Sequence, residues 1–306
     1  MCVDIITINN PDIKQTKKRQ NIEYLSTLTM IFHFHFFYFR FNFRFCTVGA
    51  EARKVFDDAQ RMIDRFIRSN ELKANGIVGL YRANSINDDD IILFDENGVE
   101  LDRLYGLRQQ AAKESQDNSA YMSLADFVAP RESGLADYVG LFVVSAGFGC
   151  EELCAQYLTN NDVYNDIMVK AVADRLAEAF AEHLHERVRR EFWAYAPDEQ
   201  FETSDLLKVN YRGIRPAPGY PSQPDHTEKV TYWKVMDVER QTNIKLTESL
   251  AIWPSASTCG IYFAHPESKY FAVGKIDKDQ IADYAKRKQQ PMQEMEKWLS
   301  TCLAYS

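Results

Sequence analysis

Apolar residues recur at helical spacing from Gly49 onward: Ala52, Val55, Phe56, Ala59, Met62, Ile63, Phe66 and Ile67 fall on one stripe, which predicts an amphipathic helix. Two short apolar runs follow at 76–81 and 91–94, and the polar stretch 84–90 between them reads as the turn joining two strands. Asp88, Asp89 and Asp90 lie in that turn, where consecutive acids are far more often solvated than gathered around a cation. A further strand-like run at 138–145 ends at Gly147 and Gly149. The strongest helical signal spans 162–193, with Met168, Val172, Leu176, Phe180, Leu184 and Val188 on one stripe, and predicts one continuous helix lying on a sheet. Later, 258–264 and 270–276 read as strands and 277–288 and 292–303 as closing helices, the first capped by Asp277. Strands and helices do not alternate strictly and no segment repeats, so the class is α+β rather than doubly wound α/β.

The start of the chain follows a different pattern. Residues 31–45 read IFHFHFFYFRFNFRF and hold eight of the nineteen phenylalanines, so the composition breaks near Cys46. Aromatics alternate there with His, Arg and Asn at period two, a strand pattern, and the uncharged stretch 24–38 falls short of the roughly 18 to 20 residues that span a bilayer. The basic cluster Lys14, Lys17, Lys18 and Arg19 resembles the start of a signal peptide but is followed by Glu23 and by no small-residue cleavage site, so a targeting signal is not expected. Residues 1–47 are therefore expected to be a poorly ordered or loosely packed segment, and 48–306 a single domain.

With 306 residues, 45% of them apolar, the chain can bury a substantial core. Its formal charge of -8 disfavours nucleic acid or an anionic membrane and leaves a small molecule or another protein as partner. Six scattered cysteines do not form a disulfide framework, which fits a reducing cytoplasm. Cys150 and Cys154 lack two further ligands at comparable spacing, so no metal site is expected. His183 and His185 sit two apart on the long helix, point to different sides, and read as surface or boundary residues. No nucleophile elbow, P-loop, dinucleotide fingerprint or HExxH occurs in the regular part of the chain, so no catalytic residue is named.

The stretch 215–224 contains Pro216, Pro218, Pro221 and Pro224, which exclude regular helix and impose a pre-set loop. Within RPAPGY, Gly219 permits close backbone approach and Arg215 offers a planar fork of donors suited to a carboxylate; an ordinary proline-rich connection with a structural arginine is the simpler alternative. Asp174 and Glu178 lie one turn apart on one face of the long helix, as paired carboxylates for one partner or as a solvated acidic face.

RPAPGY does not stand alone. SLADFVAP at 123–130, MVKAVADRLAEAFAEHLHERVR at 168–189, DHTEK at 225–229, LTES at 246–249 and HPESKYFAVGKI at 265–276 occur in the order found in the activation domain of cobalamin-dependent methionine synthase, which the chain resembles from about Val48 to its end. The resemblance implies one C-shaped α+β domain with a long, bent antiparallel sheet flanked by helices. It implies binding of S-adenosylmethionine, with Arg215 on the ligand's carboxylate, backbone around Ala217, Gly219 and Tyr220 in contact, and Tyr270 and Phe271 at the nucleoside end, Tyr270 facing the ligand. Glu178 is placed near that groove and Asp174 at the contact with the cobalamin-binding domain. Cobalamin would enter only through that partner domain, and a flavodoxin-like or methionine synthase reductase would supply one electron when cobalamin has been oxidised, so that the methyl group passes to cobalt. An aspartate in an IDW-type motif upstream also contacts the ligand in the family, and no such motif occurs here. That gap keeps a rival reading open, a remnant or docking module that meets reductase or cobalamin-domain partners without holding the ligand. A self-contained methyltransferase lacks any residue to name as general base.

Overall fold

The computed structural model describes residues 5–8, 49–113, 119–201 and 208–305. Of the segment expected to be loosely packed, only 5–8 is therefore described, and the region where the family carries its upstream aspartate lies outside the described residues.

Strands β1 (Ile5–Ile8), β2 (Lys73–Ile86), β3 (Asp90–Phe94), β4 (Glu100–Leu104), β5 (Asp137–Phe148) and β8 (Ser257–Tyr262) form one sheet in the order β4-β3-β2-β5-β8, with β1 pairing against Gly76–Gly79 of β2. Every pairing in it is antiparallel. A separate ribbon joins β6 (Lys245–Leu246) to β7 (Ile252–Trp253). The helices are α1 (Gly49–Ser69), α2 (Cys150–Thr159), α3 (Val163–Arg187), α4 (Glu228–Met236), α5 (Val238–Thr242), α6 (Lys278–Lys288) and α7 (Met292–Trp298). No helix among the described residues is long and apolar enough to cross a membrane.

Strand alternation sorts the core into two layers, one on each face of the sheet. Ile77, Tyr81, Val139, Leu141, Val143 and Ile261 face one cluster with Tyr232 and Met236 of α4, Ile281 and Tyr284 of α6 and Met295 of α7. Val78, Phe142, Val144, Ala146 and Tyr262 face the other, with Met62, Ile63 and Phe66 of α1, Leu153 of α2 and the stripe of α3. Burial on both faces explains why 76–81 and 138–145 read as continuous apolar runs. Helix α3 comes close to β2 because residue 76 is glycine: a Cβ there would stand 2.9 Å from the ring of Phe180.

The structure departs from expectation in four places. Helix α3, capped by Asp162, ends at Arg187 and widens into a π turn over Val188–Phe192; Trp193 and Ala194 both donate their backbone N–H to Val188 O, and Ala194 at φ 56° stops the spiral. Residues 270–276 form no strand. Their bonds go to a loop and the C-terminus, Val273 N to Pro221 O and Ile276 N to Cys302 O, and Gly274 turns at φ 76°. In the β2–β3 turn, Asp89 and Asp90 are not a solvated run: Asp90 is buried against Arg287 and Asp89 meets Arg108 at 2.9 Å. His185 is fully buried rather than at the surface or boundary, for reasons that belong to the site.

Candidate functional site

The proline-rich loop is built onto the edge of the sheet. Ile214 and Phe263 exchange backbone hydrogen bonds just beyond β8, and Ile261 N–H donates to Pro216 O at 2.9 Å. Gly260 makes that approach possible, since a Cβ there would lie 2.7 Å from Pro216 O. The chain then reverses over 217–220, where Tyr220 N–H meets Ala217 O at 3.1 Å and Gly219 sits at φ 94°, with Pro218 before it as a type II turn requires. A second turn follows, Gln223 N–H to Tyr220 O, and Gly219 N–H closes on Gln223 O at 2.7 Å. Ser222 Oγ donates to Phe271 O at 2.6 Å and so clamps the loop to the 270–273 segment. The loop is thus rigid before any ligand arrives.

Between this loop, the 270–272 segment and α3 lies an open groove of about 390 Å³, a volume suited to a small organic ligand. Glu178, Arg215, Ala217, Tyr220, Tyr270 and Phe271 all line it. Gly219 and Asp174 do not: Gly219 serves the turn, where any side chain would strike the His226 ring, and Asp174 is exposed on α3 one turn before Glu178. Tyr270 stands half exposed over the groove with its hydroxyl accepting the Arg215 backbone N–H at 3.0 Å. Phe271 turns the other way and packs edge-on against Phe127 in the core. Tyr220 is more exposed than Tyr270 and makes no side-chain hydrogen bond with the described residues.

Arg215 is the pivot. Its Nη2 pairs with Glu182, and its Nη1 donates to Tyr211 Oη at 2.6 Å and to His185 Nδ1 at 3.2 Å. Burial works against its charge, but Glu182, Tyr211 and Tyr270 more than offset that, so its pKa stands above the ordinary value and the cation is permanent. A guanidinium has five N–H donors, and three are occupied here. Nε–H and one Nη2 hydrogen remain without a partner among the described residues, beside the groove.

Glu182, His185 and Tyr211 are the site residues that sequence reasoning missed. Glu178, Glu182, His185 and Arg189 follow one another at three- and four-residue steps along α3 and its π turn, so they share one face. Arg189 pairs with Glu199, both buried, and its guanidinium lies 3.9 Å from the Tyr211 ring centroid. A polar stripe interleaved with Ala181 and Leu184 was the available signal, because those neighbours had to be buried. Among the described residues no group of three or more His, Cys, Asp or Glu could hold a metal, and Cys150 and Cys154 are free thiols with sulfurs 4.0 Å apart.

Comparison with known proteins gives two findings. The family described as vitamin B12 dependent methionine synthase, activation domain, matches residues 22–289. A solved structure described as the MetH reactivation domain bound to AdoHcy is 43% identical, superposes with a TM-score of 0.86, and is covered over 92% of its own length by 100% of this chain.

Proposed function

Because the chain belongs to the family of vitamin B12 dependent methionine synthase activation domains, we propose that its groove holds S-adenosylmethionine and presents the methyl group for reductive reactivation of cobalamin. The observation that carries this reading is Arg215: a permanent cation that lines the groove, held through Nη1 and Nη2, with two donors unused that would serve the two oxygens of a carboxylate. Tyr270 has an exposed ring that would serve the nucleoside, and Glu178, on the groove wall, would face the ligand's cationic part. The reactivity lies in the ligand and in cobalamin; the protein contributes binding and aim.

The domain is part of methionine synthase, and cobalamin is carried by another domain of that enzyme. Asp174, exposed outside the groove, is proposed to face it. A flavodoxin-like or methionine synthase reductase as electron donor, and a cytoplasmic setting, follow from the same reading; the free thiols among the described cysteines support the latter. The division near residue 48 also remains a proposal, with β1 as a described tie between the leading segment and the sheet. Calorimetric titration of the full chain with S-adenosylmethionine and S-adenosylhomocysteine tests the assignment: both should bind at one site, and absence of binding by either would overturn it.

A further inference from the structure

We propose that His185 is a positioning residue for ligand recognition: as a neutral acceptor it fixes the plane of the Arg215 guanidinium so that its free edge meets a carboxylate. The inference rests on the function proposed above and extends it to a residue that does not line the groove.

His185 is completely buried, and burial first, then Arg215 and Arg189, hold its pKa well below the usual imidazole range. It is therefore neutral. Arginine only donates, so Nδ1 must accept from Arg215 Nη1, and the ring proton sits on Nε2, 3.3 Å from Tyr195 Oη. The ring cannot turn away, because it stacks on Tyr262 at 4.7 Å and meets Tyr211 edge-on at 5.1 Å. Tyr211 takes the other Nη1 hydrogen at 2.6 Å and Glu182 takes one from Nη2. Three fixed acceptors, two on Nη1 and one on Nη2, restrict rotation of the guanidinium, and Nε–H and the second Nη2 hydrogen are left over on a residue that lines the groove. A satisfied core histidine would account for the burial alone. It would not require an acceptor facing the arginine that lines the groove.

The test separates recognition of the carboxylate from integrity of the groove by titrating two ligands, S-adenosylmethionine and its decarboxylated form. His185→Gln keeps an amide near the Tyr195 side but removes the acceptor at Nδ1, whereas His185→Asn places an amide oxygen close to the Nδ1 position. His185→Gln should raise the Kd of S-adenosylmethionine about tenfold and that of the decarboxylated ligand less than twofold; His185→Asn should stay within about threefold of wild type for both. Equal weakening of both ligands by His185→Gln, or no weakening of either, would overturn the inference. Wild type that binds neither would instead overturn the proposed function. His185→Phe, which keeps the stack on Tyr262, should reproduce the selective loss.

Discussion

Lys288 and Arg215 are both cations held against acidic side chains, Lys288 among the α4 and α6 residues and Arg215 beside α3, yet their surroundings differ in one respect. Lys288 Nζ has three hydrogens and meets Asp225 at 2.7 Å, Glu228 at 2.6 Å and Thr227 Oγ1 at 2.6 Å, with both carboxylates buried and Thr227 partly so. Arg215 has two donors more than its partners use, and a groove beside them. A saturated buried cation organises the fold, and an unsaturated one at an opening can serve a ligand. Lys288 also faces two carboxylates with one charge, so the pair cannot both be comfortably ionised: burial works against the Asp225 charge, but Lys288, Thr227 and Tyr284 together outweigh it and hold Asp225 below its ordinary range, while burial pushes Glu228 up to about 7 despite Lys288.

Removing Lys288 should disturb folding more than binding. Lys288→Met leaves Asp225 and Glu228 buried without their cation, and loss of one partner of a buried pair costs about 3 to 5 kcal/mol. Chemical denaturation should show that loss, while the Kd for S-adenosylmethionine of the protein that remains folded stays within twofold. A tenfold change in Kd with an unchanged denaturation midpoint would reverse the roles assigned to the two cations.

Glu228 gives the same cluster a pH signature. Its folded pKa of about 7 lies above the ordinary 4.5, so the folded state binds the proton more tightly, and the stability this confers is complete below about 4.5 and is lost as pH rises to about 7. The gap corresponds to roughly 3 kcal/mol, an upper figure for a carboxyl that shares its cation. Glu228→Gln, neutral throughout, should therefore gain on wild type progressively between pH 4.5 and 7.5 in thermal unfolding. A constant difference across that range would show that Glu228 does not titrate there.

Arg215→Lys sharpens the contrast from the other side. Lysine keeps a cation opposite Glu182, whose Oε1 is buried without a hydrogen-bond partner, so the fold is spared an unpaired anion. It loses the planar fork, and with it a charge-assisted pair of about 1.5 to 3 kcal/mol, so Kd should rise roughly ten- to a hundred-fold. The melting temperature should fall less than in Lys288→Met. Unchanged affinity would remove Arg215 from the site.

Which of these features the sequence disclosed follows from how local each one is. The stripe of α3 and the Pro218–Gly219 turn are set by residues within a few positions of one another, so both were legible. The groove lining was legible through the motifs and the family they resemble, which identified Glu178, Ala217 and Tyr270 without any geometry. Residues 270–276 misled because alternating apolar positions describe an extended chain, whichever partner takes its hydrogen bonds; here Pro221 and Cys302 do. His185 misled because its polarity suggested solvent, although Ala181 and Val188, four residues before and three after, already placed it on a buried face. Lys288 and Glu228 lie in separate helices and meet only through the tertiary fold, so DHTEK carried its resemblance with no visible reason.

The smallest effect is expected where the groove meets solvent. The Tyr270 hydroxyl accepts the Arg215 backbone N–H at 3.0 Å, but the residue is half exposed, so water can replace that acceptor when Tyr270→Phe removes it. The net loss for such a bond is about 0.5 to 1.5 kcal/mol, which predicts a Kd raised by roughly two- to tenfold, with the ring still available to pack against the nucleoside. Tyr270→Ala, which takes the ring as well, should weaken binding further, and the difference between the two variants measures the ring alone. The hydroxyl also helps hold the backbone that carries the arginine, so a loss well above tenfold in Tyr270→Phe would mean that Arg215 is positioned through its main chain as much as through its guanidinium. Equal affinities for wild type, Tyr270→Phe and Tyr270→Ala would put the nucleoside elsewhere in the groove, with Tyr220 as the remaining exposed aromatic on its wall.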